Sequence, residues 1–262
     1  MSKILTRDQL WDAGAHFGHQ TKRWNPKMKP YIYGVKNKNH IIDLQQTLLR
    51  LEDVKKFVTL VGEKKGKIIF VGTKKTSKNA VKEAALRSGN FYINSRWLGG
   101  TLTNMKTISS RIKTLLDIEI EEKTGKINLR PKKEQIKIRK EKAKLEKTLG
   151  GIKHMRKLPN AMFIADPKTD EIAVKEARKL NIPVIAICDT NVDPDMVDFV
   201  IPANDDIPEP INLIVNYIVE IYGDAAGLKL PPSNLKVVTQ KKDDKIVGFN
   251  SRDEAKTESK KS

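Results

Sequence analysis

Between residues 14 and 43 the chain reads GAHFGHQTKRWNPKMKPYIYGVKNKNHIID, which holds Lys22, Arg23, Lys27, Lys29, Lys36 and Lys38 and no acid before Asp43. Phe17, Trp24, Tyr31 and Tyr33 are interleaved with these cations, beside His16, His19 and His40. Cations neutralise phosphates, and flat rings stack on unpaired bases, so the mixture suits RNA. A merely solvated basic loop fits less well, because such loops rarely carry four aromatics. The six cations, Trp24, Tyr31 and His40 are therefore candidate RNA ligands. Gly14, Gly18, Gly34, Pro26 and Pro30 interrupt any regular period and predict an ordered loop, neither helix nor strand.

Signals for other chemistry are weaker. VGTKKTSKNA (71–80) follows a strand-like run but has the single Gly72, and matches neither G-x-G-x-x-G nor G-x-x-x-x-G-K-[ST]. Lys74 and Lys75 there could meet a phosphate, but the backbone could not cradle one, so no nucleotide cofactor is expected. His16 and His19 are three apart, with no cysteine near and few acids, so a structural or RNA-facing role is favoured over a metal site. Asp166, Asp189, Asp193 and Asp195 fall at or after strand ends, where an α/β enzyme would hold Mg²⁺ and a nucleotide. No nucleophile or general base accompanies them. DTNVDPD is also good turn and cap chemistry, and that reading outweighs catalysis. In NSRWLGGTLTN (94–104), Arg96 and Trp97 either join the RNA face or lock the base of the segment after them; both readings stand.

These residues need a scaffold. TRDQLWDA (6–13) predicts a short helix capped by Thr6, and DLQQTLLRLEDVKKFVTLVGE (43–63) a longer one capped by Asp43. KIIFVGT (67–73), FYIN (91–94), MFIAD (162–166), PVIAICDT (183–190) and DFVIPAN (198–204) read as strands. Helices over 76–88, 169–180 and 208–222 alternate with them, the last opening on a proline. Such alternation means right-handed βαβ units and a mostly parallel sheet. Residues 103–157 break the pattern. Met105, Ile108, Ile112, Leu115 and Leu116, then Ile138, Leu145 and Leu149, give the seams of two helices joined by a turn. The second, over 131–149, would make a lysine-studded arm about 28 Å long at 1.5 Å per residue.

The net charge of +18 is unevenly spread. Residues 1–160 carry 37 Lys and Arg against 14 Asp and Glu, and residues 161–228 carry 4 against 13. A basic region followed by an acidic one implies two kinds of partner, or one polyanion held on one side. Lys outnumbers Arg by 39 to 11, which favours backbone and shape recognition over base reading. The lone Cys188 excludes a disulfide framework and reads as a small core residue. No apolar run reaches membrane-spanning length. Polar composition from about 238 onward predicts disorder.

AHFGHQTKRWNPKMKPYIYG, HIIDLQQT, FVGTKK, SRWLGGTLTN, LGGIKHMRKLPNAMFIAD, IPVIAICDTNVDP and FVIPANDD, in that order, resemble the bacterial small-subunit (30S) ribosomal protein two family over roughly residues 4–228. The resemblance implies a flavodoxin-like α/β fold, a doubly wound parallel sheet with an inserted antiparallel helical hairpin. The layout would be a first α/β part with the basic segment (1–102), the hairpin (103–157), an acidic second α/β part (158–228) and an extension (229–262) outside the shared motifs. It also implies a cytoplasmic structural component of the 30S subunit with no enzymatic activity; no cofactor, metal ligand, membrane or small-molecule substrate is assigned. Its expected partners are 16S rRNA between head and body, and neighbouring ribosomal proteins, including the multi-OB-fold protein that captures messenger RNA. On this view Arg96 and the hairpin's Lys106, Arg111 and Lys113 join the RNA ligands. The lysine bias looks like an AT-rich coding genome. If the lineage lacks the messenger-capturing partner, the anchoring role falls away and the rRNA role remains.

Overall fold

A computed structural model describes residues 5–235. The disorder expected from about 238 lies outside the described residues. Five short strands build the central sheet: β4 (Ile68–Val71), β5 (Phe91–Ile93), β6 (Ala161–Ile164), β7 (Val184–Cys188) and β8 (Phe199–Pro202). All are parallel, in the spatial order β5-β4-β6-β7-β8. Numbered within this sheet alone, that order is the flavodoxin-like 2-1-3-4-5, with its switch point between β4 and β6.

Both faces of the sheet are covered, which is why its strands are continuous apolar runs with no alternation of polarity. Ile68, Phe70, Ala161, Phe163, Ile185 and Ile187 point into one core. Helices α1 (Arg7–Asp12), α2 (Leu44–Glu63), α3 (Lys78–Ser88) and α7 (Pro208–Ala226) supply that core's other wall. Ile69, Val71, Met162, Ile164, Val184, Ala186 and Cys188 point into the opposite core, against α6 (Glu171–Lys179) and the base of α4 (Met105–Lys123). Burying each Val, Ile, Met or Phe side chain among them stabilises by about 1.5–3 kcal/mol. Cys188 is a wholly buried member of this second core.

The helix ends follow local chemistry. Thr6 and Gln9 form a reciprocal capping box at α1, and the Asp43 carboxylate accepts from the Gln45 amide at α2. Gly89 ends α3 at φ +62°, a left-handed value that suits glycine. Two helices run through 103–157: α4 and α5 (Lys132–Leu149), joined through a 3₁₀ turn at Lys126–Leu129. Ile108, Ile112, Leu115, Ile118 and Leu149 are buried between them or beneath them, while Ile120 and Ile136 stay exposed. Glu122 of α4 pairs with Lys142 of α5, while Glu121 and Glu119 of α4 pair with Arg130 and Lys153 in the segments that flank α5.

Residues 17–42 differ from the expected loop. Three short strands, β1 (Phe17–Gln20), β2 (Ile32–Lys36) and β3 (Asn39–Ile42), form an antiparallel sheet in the order β1-β3-β2. Two 3₁₀ turns, Thr21–Arg23 and Pro26–Tyr31, carry the basic stretch between β1 and β2, with Pro26 and Pro30 in the second. The strands are only four or five residues long and β2 is mostly exposed, so no alternation of polarity marks them. Gly34 adjoins a register shift in β2, as glycines within strands often do. Asn37 (φ 51°) and Lys38 (φ 64°) make the two-residue turn between β2 and β3.

Candidate nucleic-acid interface

The small sheet is seated on the C-terminal ends of β7 and β8. Asn204 holds β1 from below, its side-chain amide donating to the Phe17 carbonyl at 2.6 Å and its backbone amide to the Ala15 carbonyl at 3.1 Å. The His19 amide donates to Asp189 Oδ1 at 3.2 Å and Thr190 Oγ1 at 2.9 Å. The Asn25 amide donates to the Thr190 carbonyl at 2.7 Å. Gly18 lies so close that a Cβ there would meet Thr190 Cγ2 at 2.7 Å. The crevice at strand C-termini is where open α/β sheets bind ligands. Here the chain's own basic segment covers the ends of β7 and β8.

The strand-end acids are engaged within the protein. Asp166 caps its own loop, accepting from the Lys168 and Thr169 amides at 2.9 and 3.0 Å and from Thr169 Oγ1 at 2.7 Å. Asp170 accepts from the Thr73 amide at 3.2 Å and Oγ1 at 2.8 Å. Asp193 caps the Asp195 amide at 3.0 Å. At the switch point, Lys74 Nζ lies 2.9 Å from Asp205 Oδ1 and 3.6 Å from Asp166 Oδ2, and also bonds Asp206. Burial works against the Lys74 ammonium, but its bonds to Asp206 and Asp205 outweigh it and raise its pKa. Burial, with Asp166 and Asp189 adding, pushes the Asp205 carboxyl up to about 7.

The sequence-predicted ligands divide into two groups. Lys22, Arg23, Lys29, Lys36 and Lys38 are exposed on the small sheet and its turns, and none pairs with an acid among the described residues. Arg96, Lys106, Arg111 and Lys113 are also exposed, the last three on α4. The others are engaged within the protein. Lys27 Nζ bridges Asp193 at 2.9 Å and Asp195 at 2.8 Å. The His40 ring is buried and lies 5.1 Å from the half-buried Trp24 ring; burial lowers its pKa. Tyr31 is half-buried with the Arg50 guanidinium 5.7 Å over its ring. Trp97 is buried and donates to Glu176 Oε1 at 3.0 Å, so it locks the base of the α4–α5 pair. Arg96 beside it stays exposed.

Two groupings escaped the sequence reading. One is the Arg50–Tyr31 stack, whose partners lie on α2 and in the Pro26–Tyr31 turn. The other joins His19, Asp189, Asp205 and Asp206, whose ligand-capable atoms all lie within 4.8 Å of one another. In the sequence His19 and Asp189 read separately, as a histidine near few acids and as a strand-end acid, and neither Asp205 nor Asp206 is singled out. His19 is far from its partners in sequence.

No helix among the described residues is long and apolar enough to cross a membrane. Residues 10–224 match the ribosomal protein S2 family. The chain is similar to the small ribosomal subunit protein uS2 of Spiroplasma citri, 64% identical over 236 residues, which are 90% of this chain and 66% of that one. It thus spans just under two thirds of the Spiroplasma protein. The uS2 of Mycoplasma capricolum is 63% identical over 94% of this chain and 85% of its own length. That of Mesoplasma florum is 62% identical over 92% of this chain and 91% of its own.

Proposed function

The chain belongs to the ribosomal protein S2 family, and from that premise we propose that it is a structural constituent of the small ribosomal subunit that binds 16S rRNA between head and body. The family is structural and non-enzymatic, and a ribosomal protein works in the cytoplasm as part of the ribosome. One observation supports the rRNA reading above the rest. Lys22, Arg23, Lys29, Lys36 and Lys38 are exposed, with no acidic partner among the described residues, on a small sheet that is otherwise anchored. Cations left unpaired beside a large acidic reserve are available to phosphate, and the rigid seat fixes their spacing. Lys106, Arg111 and Lys113 extend the charge along α4.

The same reading gives the anchoring of the messenger-capturing multi-OB-fold protein to the α/β part of the chain, on its acidic C-terminal portion, and leaves the α4–α5 pair to rRNA. The test is sucrose-gradient sedimentation of a lysate at low and high salt, following this protein. Near-stoichiometric comigration with 30S and 70S particles, lost only at high salt, is the expected result. A signal confined to the top of the gradient at low salt would overturn it.

A further inference from the structure

Asp189 is wholly buried, yet only one of its two carboxylate oxygens is satisfied. Oδ1 accepts from the His19 amide at 3.2 Å and from Thr190 Oγ1 at 3.1 Å, and also bonds the Thr190 amide. Oδ2 has no hydrogen-bond partner among the described residues. It faces His19 Nδ1 at 2.9 Å, a contact that pairs the two when the imidazole is protonated and raises the His19 pKa, and that nitrogen is likewise buried with no other partner among the described residues. A buried carboxylate oxygen left in this state costs roughly 1–3 kcal/mol or more, so in a native fold it calls for a water or an ion as its partner. Asp205 and Asp206 close the other side, with His19 Nε2 at 3.4 Å from Asp206 Oδ2.

We propose that His19, Asp189, Asp205 and Asp206 form a binding site for one divalent first-row cation of the Zn²⁺ class, which fastens the basic N-terminal sheet to the C-terminal ends of β7 and β8. The donor set selects the class. Mg²⁺ and Ca²⁺ prefer oxygen-only shells, whereas an imidazole beside carboxylates suits Zn²⁺ and its neighbours. Charge agrees: Asp166, Asp205 and Asp206 share the single ammonium of Lys74, and Asp189 adds a fourth carboxylate, an acidic excess that a divalent ion offsets. Geometry requires only a modest contraction. Tetrahedral bonds of about 2.0–2.2 Å set donors roughly 3.3–3.6 Å apart, against the 4.8 Å spread of the present atoms. Three of the four ligands are rigidly held. The His19 backbone is hydrogen-bonded to Asp189 and Thr190, Asp189 is at the end of a central strand, and Asp205 is buried. Asp206 is about half exposed and supplies the adjustable ligand. This inference stands apart from rRNA binding, since a free chain would bind the ion as well.

The purified full-length chain, stripped with a chelator, should be dialysed against Zn²⁺ in excess Mg²⁺ and its metal content measured by plasma mass spectrometry. One Zn²⁺ per chain is expected. His19→Gln and Asp189→Asn should weaken binding by at least about ten-fold, while His154→Gln, at an exposed histidine outside the cluster, should bind as the wild type does. Co²⁺ should give a visible absorption band that His19→Gln abolishes. Where Asp189→Asn does not fold, Asp206→Asn at the exposed ligand gives the same comparison. A Zn²⁺ content well below one, displacement by Mg²⁺, or equal retention by the His19→Gln chain would overturn the site and leave Lys74 and an imidazolium as the cluster's only counter-charges.

Discussion

Trp97 Nε1 donates to Glu176 Oε1 at 3.0 Å, and this bond ties the loop before α4 to the helix α6. Glu176 is 7% exposed and has no cation within salt-bridge range among the described residues. Its oxygens are satisfied instead by the amides of Gly100 at 2.6 Å, Leu102 at 2.9 Å and Thr103 at 3.2 Å. Burial pushes the carboxyl upward, but the bonds from Trp97, Leu102, Thr103 and Gly100 outweigh it and hold its pKa below the usual value. One acid thus organises the turn SRWLGGTLT from which the α4–α5 pair springs.

Glu176→Gln should destabilise the chain by about 2–4 kcal/mol, because the amide's NH₂ group would face backbone donors and leave some of them unsatisfied. Urea unfolding followed by circular dichroism measures it. The depressed pKa adds a sign: the wild-type contribution is present above pH about 4.5 and is lost as pH falls through the folded value. An unchanged urea midpoint for Glu176→Gln would show that the loop is held some other way.

His16 is buried and its ring stacks on Trp11 at 3.9 Å with an interplanar angle of 7°. Burial, with Lys36 adding, lowers its pKa to about 4. The unfolded chain therefore binds a proton near pH 6.5 that the folded chain refuses until about 4. Stability should be complete above about pH 6.5 and fall between about 6.5 and 4, by no more than about 3 kcal/mol. His16→Gln, which cannot titrate, should lower stability at neutral pH yet flatten the acid-side slope of Tm. A slope that persists undiminished in the variant would place the titration elsewhere.

The sheet and its covering helices were legible because their signals are local. IIFV, MFIA and VIAIC are short apolar runs bounded by turns, and the Thr6 and Asp43 caps act within three residues. The small antiparallel sheet was not legible, since its strands are four or five residues long and their polar and apolar residues do not alternate along the sequence. Composition marked the cations of the basic segment, but it could not separate Lys29, which has no acidic partner among the described residues, from Lys27, which the acids of the 193–195 turn hold. That distinction depends on groups 166 residues apart. The same holds for His19 and Asp189, brought together by two sheets that the sequence does not join.

Gly151 and Gly34 make a matched pair for packing. A Cβ on Gly151 would lie 2.1 Å from the Tyr92 carbonyl oxygen, a backbone atom that cannot step aside. A Cβ on Gly34 would meet nothing within 4 Å. Gly151→Ala should therefore cost about 1–3 kcal/mol or more, as overpacking does, and Gly34→Ala should fall within about 0.5 kcal/mol of the wild type. Thermal unfolding of the two variants side by side decides it; equal losses would mean that the junction of α5 with β5 yields more than its geometry suggests.

The unpaired and paired lysines should behave differently on the ribosome. Lys36→Glu with Lys38→Glu reverses two exposed charges at the β2–β3 turn and disturbs no ion pair among the described residues. It should leave Tm nearly unchanged and lower incorporation into 30S particles. For every phosphate no longer neutralised, the salt slope of binding should also shrink by about 0.7–0.9. Lys27→Glu instead sets a carboxylate against Asp193 and Asp195, at 2.9 and 2.8 Å from the ammonium it replaces. It should lower Tm only slightly, since solvent screens exposed pairs and they contribute little. Its effect on the salt slope should be small, because Lys27 already has its anions. Quantitative mass spectrometry of gradient-purified 30S particles from cells expressing each variant reads both. Full incorporation of the Lys36→Glu, Lys38→Glu chain, beside a marked loss for Lys27→Glu, would move the phosphate-binding role from the sheet's free turn to the cation that the protein itself holds.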